Sequence, residues 1–182
     1  MKIKDYKLFL ENKQSREEIN SICIEYNIRN YTINNDGTVD VDGHVNLSFN
    51  KLTKLPLKFG KVTGNFNCAD NRLTSLEGCP KWVGGSFGCS DNQLISLEGP
   101  KYVGNGFNCS ENHLTTLKGG PEIVIRDYFC YGNDLVNFKG FPEDFEGDLI
   151  FIGNTDVYRE LENIPKEKVN KFIYWCNEYD AI

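Results

Sequence analysis

Between Val45 and Asn154 the apolar residues return in one fixed frame. Three copies read F-N-C-A-D-N-R-L-T-S-L (66–76), F-G-C-S-D-N-Q-L-I-S-L (87–97) and F-N-C-S-E-N-H-L-T-T-L (107–117). A valine stands four residues ahead of each, at Val62, Val83 and Val103, and Phe59, Pro80 or Pro100 stands three residues before that. An opening copy runs Val45, Leu47, Asn50, Leu52, Leu55, and a later one Val124, Tyr128, Cys130, Asn133, Leu135, Phe138. A sixth, with Leu149, Phe151 and Asn154, loses the pattern at Asp156, as terminal copies do in repeat arrays. The asparagines Asn50, Asn71, Asn92, Asn112, Asn133 and Asn154 keep a spacing of 20 or 21 residues, and that period predicts a solenoid.

Within each copy the alternation Phe-x-Cys predicts a short strand with both apolar residues pointing inward, stacked in parallel on one face. Gly78, Gly84, Gly85, Gly99, Gly104, Gly119 and Gly120, with Pro80, Pro100 and Pro121, leave too little helix propensity for helical returns, so these are expected to be extended or polyproline-like. The asparagine column is expected to be structural. A side-chain amide has donors and an acceptor for backbone groups that curve away from the strands.

The flanks break the period. Ser15 and Glu18 form a capping box, and Ile19, Ile22, Cys23 and Tyr26 share one face of a helix over 15–26. A hairpin over 31–41 follows, turning at Asn34-Asn35-Asp36-Gly37. Residues 1–43 thus read as an N-terminal cap and 44–155 as a solenoid of about six rungs. Residues 156–182 read as a C-terminal helical cap: a short helical turn over 156–162, then a helix from Pro165 with the stripe Val169, Phe172, Ile173, Cys176, Tyr179.

The spacing resembles the leucine-rich repeat, L-x-x-L-x-L-x-x-N-x-L, in its shortest form, with Cys68, Cys89, Cys109 and Cys130 at the second strand leucine. More narrowly, L-T-S-L-E-G-C-P-K-W-V-G-G-S-F-G-C-S-D-N (73–92) and N-D-G-T-V-D-V-D-G (35–43) are similar to leucine-rich-repeat-like proteins encoded by large tailed bacteriophages. The resemblance implies a binding scaffold without catalytic residues. It also implies a context: an accessory protein in the cytoplasm of the infected bacterium that binds and disables a host defence protein.

Composition narrows the classes further. No apolar run reaches the ~20 residues that span a bilayer, and Met1 to Asn12 lacks the apolar stretch of a signal peptide, so a soluble cytoplasmic protein is expected. The chain has 182 residues and a net charge of -6 without a basic run, which argues against a nucleic-acid partner. Of its seven cysteines, four share one interior repeat position. Stacked strands ~4.8 Å apart place such neighbours poorly for disulfides, and single cysteines lack the C-x-x-C pairs of a zinc site. They read as small buried hydrophobes.

Candidate contact residues are the outward ones on the strand-bearing face. They include His44, Asn65, Asn46, Asn67 and Asn108, and after each cysteine Ala69, Ser90 and Ser110. They also include Phe49, Asp70, Asp91 and Glu111, each just before a ladder asparagine, and Asp127. Phe129, Tyr131, Ile150 and Ile152 cluster in the last rungs, as an exposed apolar patch or as core beneath the C-terminal helix. Neighbouring carboxylates in the acidic row stand ~5 Å apart, at ~0.8 kcal/mol per pair in water. One row supplies too few oxygens for calcium, so solvated acids or a basic protein partner are expected there, and no metal.

No catalytic constellation appears. His44 and His113, the chain's two histidines, lie far apart in the repeat order, and Gly84-Gly85 and Gly119-Gly120 lack a phosphate-loop context. The leading expectation is a non-enzymatic protein-binding module without a cofactor. Two alternatives come from other classes: a sponge that sequesters a nucleotide signal, and a self-assembling structural protein.

Overall fold

The computed structural model describes residues 14–154 and the strand 169–173. The described residues wind into a β-solenoid of stacked coils with one short helix among them. The helix α1 (Arg16–Glu25) starts on the capping box: Glu18 N–H donates to Ser15 Oγ at 3.2 Å, and Ser15 N–H to Glu18 Oε2 at 2.8 Å. It ends where Asn27 enters the left-handed region and lets Ile28 N–H reach back to Cys23 O at 2.8 Å. Ile19 and Cys23 on its inner face join the core.

The hairpin follows as expected, β1 (Tyr31–Ile33) pairing antiparallel with β2 (Val39–Val41). From β2 onward each coil lays one strand in each of two sheets. The valine sheet runs β1, β2, β4 (Phe59–Val62), β6 (Trp82–Val83), β8 (Tyr102–Val103), β10 (Ile123–Val124), β12 (Asp144–Phe145). The phenylalanine sheet is formed by β3 (Val45–Asn46), β5 (Phe66–Asn67), β7 (Phe87–Gly88), β9 (Phe107–Asn108), β11 (Tyr128–Phe129), β13 (Gly147–Ile150), β14 (Val169–Ile173). Apart from β1 with β2, all neighbours are parallel.

The expectation of parallel strands on one face with extended or polyproline-like returns is met in part: the returns are extended, but they are strands of a second sheet. The return carries its own ladder, because the valines that appear to line a return alternate with outward residues as a strand requires. A third side stacks as well: Arg72, Gln93, His113 and Asp134 donate their N–H to Leu52, Leu73, Leu94 and Leu114 of the coil before, at 2.8 to 3.0 Å.

A second correction concerns the C-terminal end. Residues 169–173 form β14, parallel to β13, rather than part of a helix. Val169, Phe172 and Ile173 favour a strand at least as well as a helix, and the edge of β13 offers backbone partners that an isolated helix lacks. Cys176, Tyr179 and the turn expected over 156–162 lie outside the described residues.

Inside, like stacks on like. Val62, Val83, Val103 and Val124 form one buried column, Leu73, Leu94, Leu114 and Leu135 another, and Cys68, Cys89, Cys109 and Cys130 a third. Phe66, Phe87 and Phe107 stack in series, with ring centroids 5.3 and 5.6 Å apart. Tyr128 replaces the next phenylalanine and tilts 48° from Phe107. Its hydroxyl, fully buried near Gly120, has only the weakly polar Cys109 thiol beside it among the described residues, and burial holds its ionisation well above the usual tyrosine range.

The asparagine ladder joins the coils in one direction. Asn92 accepts Leu73 N–H at 2.9 Å and donates to Cys68, Cys89 and Ser90 carbonyls at 3.0 to 3.2 Å. Asn112 and Asn133 repeat this set one coil later, accepting from Leu94 and Leu114. Asn71 accepts from both Asn50 and Leu52, and Asn154 from Leu135. Asn50, with no coil before it, is exposed, and its side-chain amide donates to Ser48 O alone.

Asn92→Leu orphans a buried N–H and carbonyls on two coils, so thermal unfolding is expected to show a loss of about 1 to 3 kcal/mol. Asn50→Ala is expected to melt within about 0.5 kcal/mol of the parent; equal losses from both would contradict the ladder's role. Tyr128→Phe removes a buried hydroxyl that has only a weak thiol beside it and restores the ring column, so its melting temperature is expected to rise, by about 1 kcal/mol of stability.

Candidate interaction surfaces

The corner that follows β3, β5, β7, β9, β11 and β13 is built in the left-handed backbone region. Phe49 (φ 60°), Asp70 (55°), Asp91 (54°), Glu111 (51°), Gly132 (60°) and Gly153 (76°) hold it in successive coils. The turn keeps each N–H on the next coil: Asp70, Asp91, Glu111 and Gly132 donate to Ser90, Ser110, Tyr131 and Ile152 carbonyls at 2.8 to 3.1 Å. Glycine adopts this φ without strain and aspartate tolerates it, whereas phenylalanine does not. A Cβ at Gly132 would meet the carboxylate of Glu111, which lies over it.

The structure therefore brings Phe49, Asp70, Asp91 and Glu111 into a single line along the coils, all exposed. Phe49 is 75 % exposed and makes no ring contact among the described residues. Some desolvation and the charge of Asp91 raise the Asp70 carboxyl above its ordinary value.

Other residues expected to face a partner are occupied by the fold. His44 Nδ1 accepts Asn65 N–H at 2.9 Å, Asn65 Oδ1 accepts Ser86 N–H at 2.9 Å, and Asp127 Oδ1 accepts Asp148 N–H at 3.0 Å. These make a second ladder between coils, at the corner entering the phenylalanine sheet. Asn46, Asn67 and Asn108 each close their own turn by accepting the N–H two residues on, at 3.0 to 3.1 Å. Ala69, Ser90 and Ser110 are buried rather than outward, because the chain bends inward before the left-handed corner.

Phe129 and Ile150 are in register on β11 and β13. Ile150 is buried, at 8 % exposure, while Phe129, Tyr131 and Ile152 are half-buried. The sheet continues past them as β14, so they lie within it rather than at its end.

A row that the sequence reading missed crosses the outer face of the valine sheet. Lys61, Trp82, Tyr102, Ile123 and Asp144 are aligned by strand register. Trp82 and Tyr102 stack with centroids 5.4 Å apart and planes 3° from parallel, and Lys61 Nζ sits 4.2 Å from the Trp82 ring centroid. The signal was present in the pairs K-V, W-V, Y-V and I-V at 61–62, 82–83, 102–103 and 123–124, where the residue before an inward valine must point outward.

The interior offers little chemistry. Cys23, Cys68, Cys79, Cys89, Cys109 and Cys130 are free and buried. Burial pushes Cys79 up to about 11 and raises the thiols of the column as well, so they stay protonated. Among the described residues no group of His, Cys, Asp and Glu is arranged to hold a metal ion. Among them, too, no helix is long and apolar enough to cross a membrane. Compared with known proteins, the chain matches no family model, no curated protein and no solved structure.

The raised Asp70 carboxyl gives a signed expectation. In the window just above 3.8 the folded chain binds more protons than the unfolded one, so stability falls as pH rises through it. Asp70→Asn keeps the left-handed corner and removes that penalty. Its melting temperature is expected to exceed the parent's by more at neutral pH than well below pH 3.8, and the gain is small because the site is solvated. High salt should shrink the difference.

Proposed function

We propose that the protein is a non-enzymatic protein-binding module of the short leucine-rich-repeat type, with the row Phe49, Asp70, Asp91 and Glu111 as its contact edge and a basic protein surface as its partner. The observation that carries this reading is Phe49. The corner requires a positive φ, which glycine supplies at Gly132 and Gly153. A phenylalanine there costs about 1 to 2 kcal/mol of backbone strain and stays 75 % exposed, with no ring contact among the described residues. Exposed aromatic side chains of this kind are common anchors of interfaces.

The carboxylates beside it add charge complementarity. Repulsion along the row is relieved by a cationic partner, which the same field draws in. Phe129, Tyr131 and Ile152 extend the contact along the phenylalanine sheet. The resemblance to bacteriophage proteins supports a context in which the module acts in the host cytoplasm against a host defence protein.

Phe49→Gly separates folding from binding, since it keeps the corner's φ and removes the ring. Its melting temperature is expected to equal or exceed the parent's, while capture of a specific partner from bacterial lysate falls about tenfold or more. Charge reversal at Asp70 and Asp91 is expected to lower capture in the same way. Recovery of the same partner at parental yield by both variants would remove this edge from the proposal.

A further inference from the structure

The outer face of the valine sheet, on a different sheet from the acidic edge, carries lysines at its centre and carboxylates at its margins. Lys61, Lys81 and Lys101 come from β4 and from the residues leading into β6 and β8, all three exposed, around the stacked rings of Trp82 and Tyr102. Lys81 Nζ donates to Gly99 O at 3.1 Å, and Lys101 pairs with Glu122 at 2.7 Å. Lys61 Nζ lies over the indole face. In a chain of net charge -6 this concentrates cations on successive coils. Carboxylates bound it on both sides: Asp40 and Asp42 on and beside β2, and Glu122, Glu143 and Asp144 around β10 and β12.

We propose that this face docks a short acidic segment of a protein partner, presenting two or three carboxylates on extended chain with neutral or basic residues on either side. The length follows from the coil spacing. Lys61 and Lys101 are two strands apart, about 10 Å, which an extended segment crosses in about three residues. A longer polyanion runs into Asp40 and Asp42 at one end and Glu143 and Asp144 at the other, where like charge repels it.

The ring geometry sets the class of partner. A nucleobase or a sugar ring stacks on an open aromatic face. Trp82 has Lys61 over its ring and Tyr102 stacked on it, so the indole offers no open platform. Rings held this way give rigid apolar contact at low entropic cost and suit a peptide chain flanked by carboxylates.

The test is a two-dimensional NMR titration of the intact protein with a capped peptide of alternating glutamate and threonine between glycines. An oligothymidylate of similar length is titrated in parallel. Saturable shifts confined to amides of β4, β6 and β8 are expected. Lys61→Glu/Lys81→Glu/Lys101→Glu, which leaves the ring pair in place, is expected to weaken peptide binding about tenfold or more. Phe49→Gly is expected to leave it unchanged, so failure here and failure of the acidic-edge reading are told apart. Absence of shifts, or equal shifts in the triple lysine variant, overturns the proposal. Tighter binding of the oligothymidylate at the same amides reassigns the face to nucleic acid. Concentration-dependent sedimentation abolished by the lysine variant reassigns it to a second copy of the chain.

Discussion

A single side-chain amide fastens each coil of this solenoid to the one before it. Between short strands the backbone must bend, and at the bend its N–H and C=O groups leave both ladders. Asn71, Asn92, Asn112, Asn133 and Asn154 collect those groups from two coils at once, taking an N–H from the preceding coil and giving their amide protons to carbonyls on both. Without this exchange the bends would bury unpaired polar groups, and the like-on-like columns of valine, leucine, cysteine and phenylalanine would lose their register.

The same bend decides what the surface can show. Placing the asparagine amide inside requires the preceding residue to adopt a positive φ, which throws its side chain outward. The fold thus exposes a row whose chemistry is constrained only by tolerance of the left-handed region. Glycine fills it in two coils, aspartate in two, and the departures from these are Phe49 and Glu111. A scaffold column and an exposed row are therefore consecutive residues, made by one turn.

The two exposed rows differ in sheet and in chemistry, although both derive from the stacking of neighbouring coils. Coil-to-coil spacing multiplies whatever stands at an outward position into a line of similar groups. Asp70, Asp91 and Glu111 make an acidic line at the corner; Lys61, Lys81 and Lys101 frame an aromatic one on the valine sheet. Neither line needs a concave pocket, since each stands as a ridge on the outside of the coils.

The period, the inward residues, the cap box at Ser15, the hairpin and the structural asparagines were legible from sequence alone. Apolar burial repeats with the chain, and the capping and turn chemistry is local. The second sheet, the strand at 169–173 and the occupation of His44, Asn65 and Asp127 were not. Those depend on hydrogen bonds between residues about 20 positions apart, as from Ser86 N–H to Asn65 Oδ1, and only the register of neighbouring coils specifies them. The same holds for exposure, since Ile150 and Ser110 are buried by the coil's curvature and by what stacks beside them. Sequence by itself determined that the chain coils and what fills its interior. Tertiary structure decided which polar and aromatic groups the coils leave free, because that is settled between coils and not within any one of them.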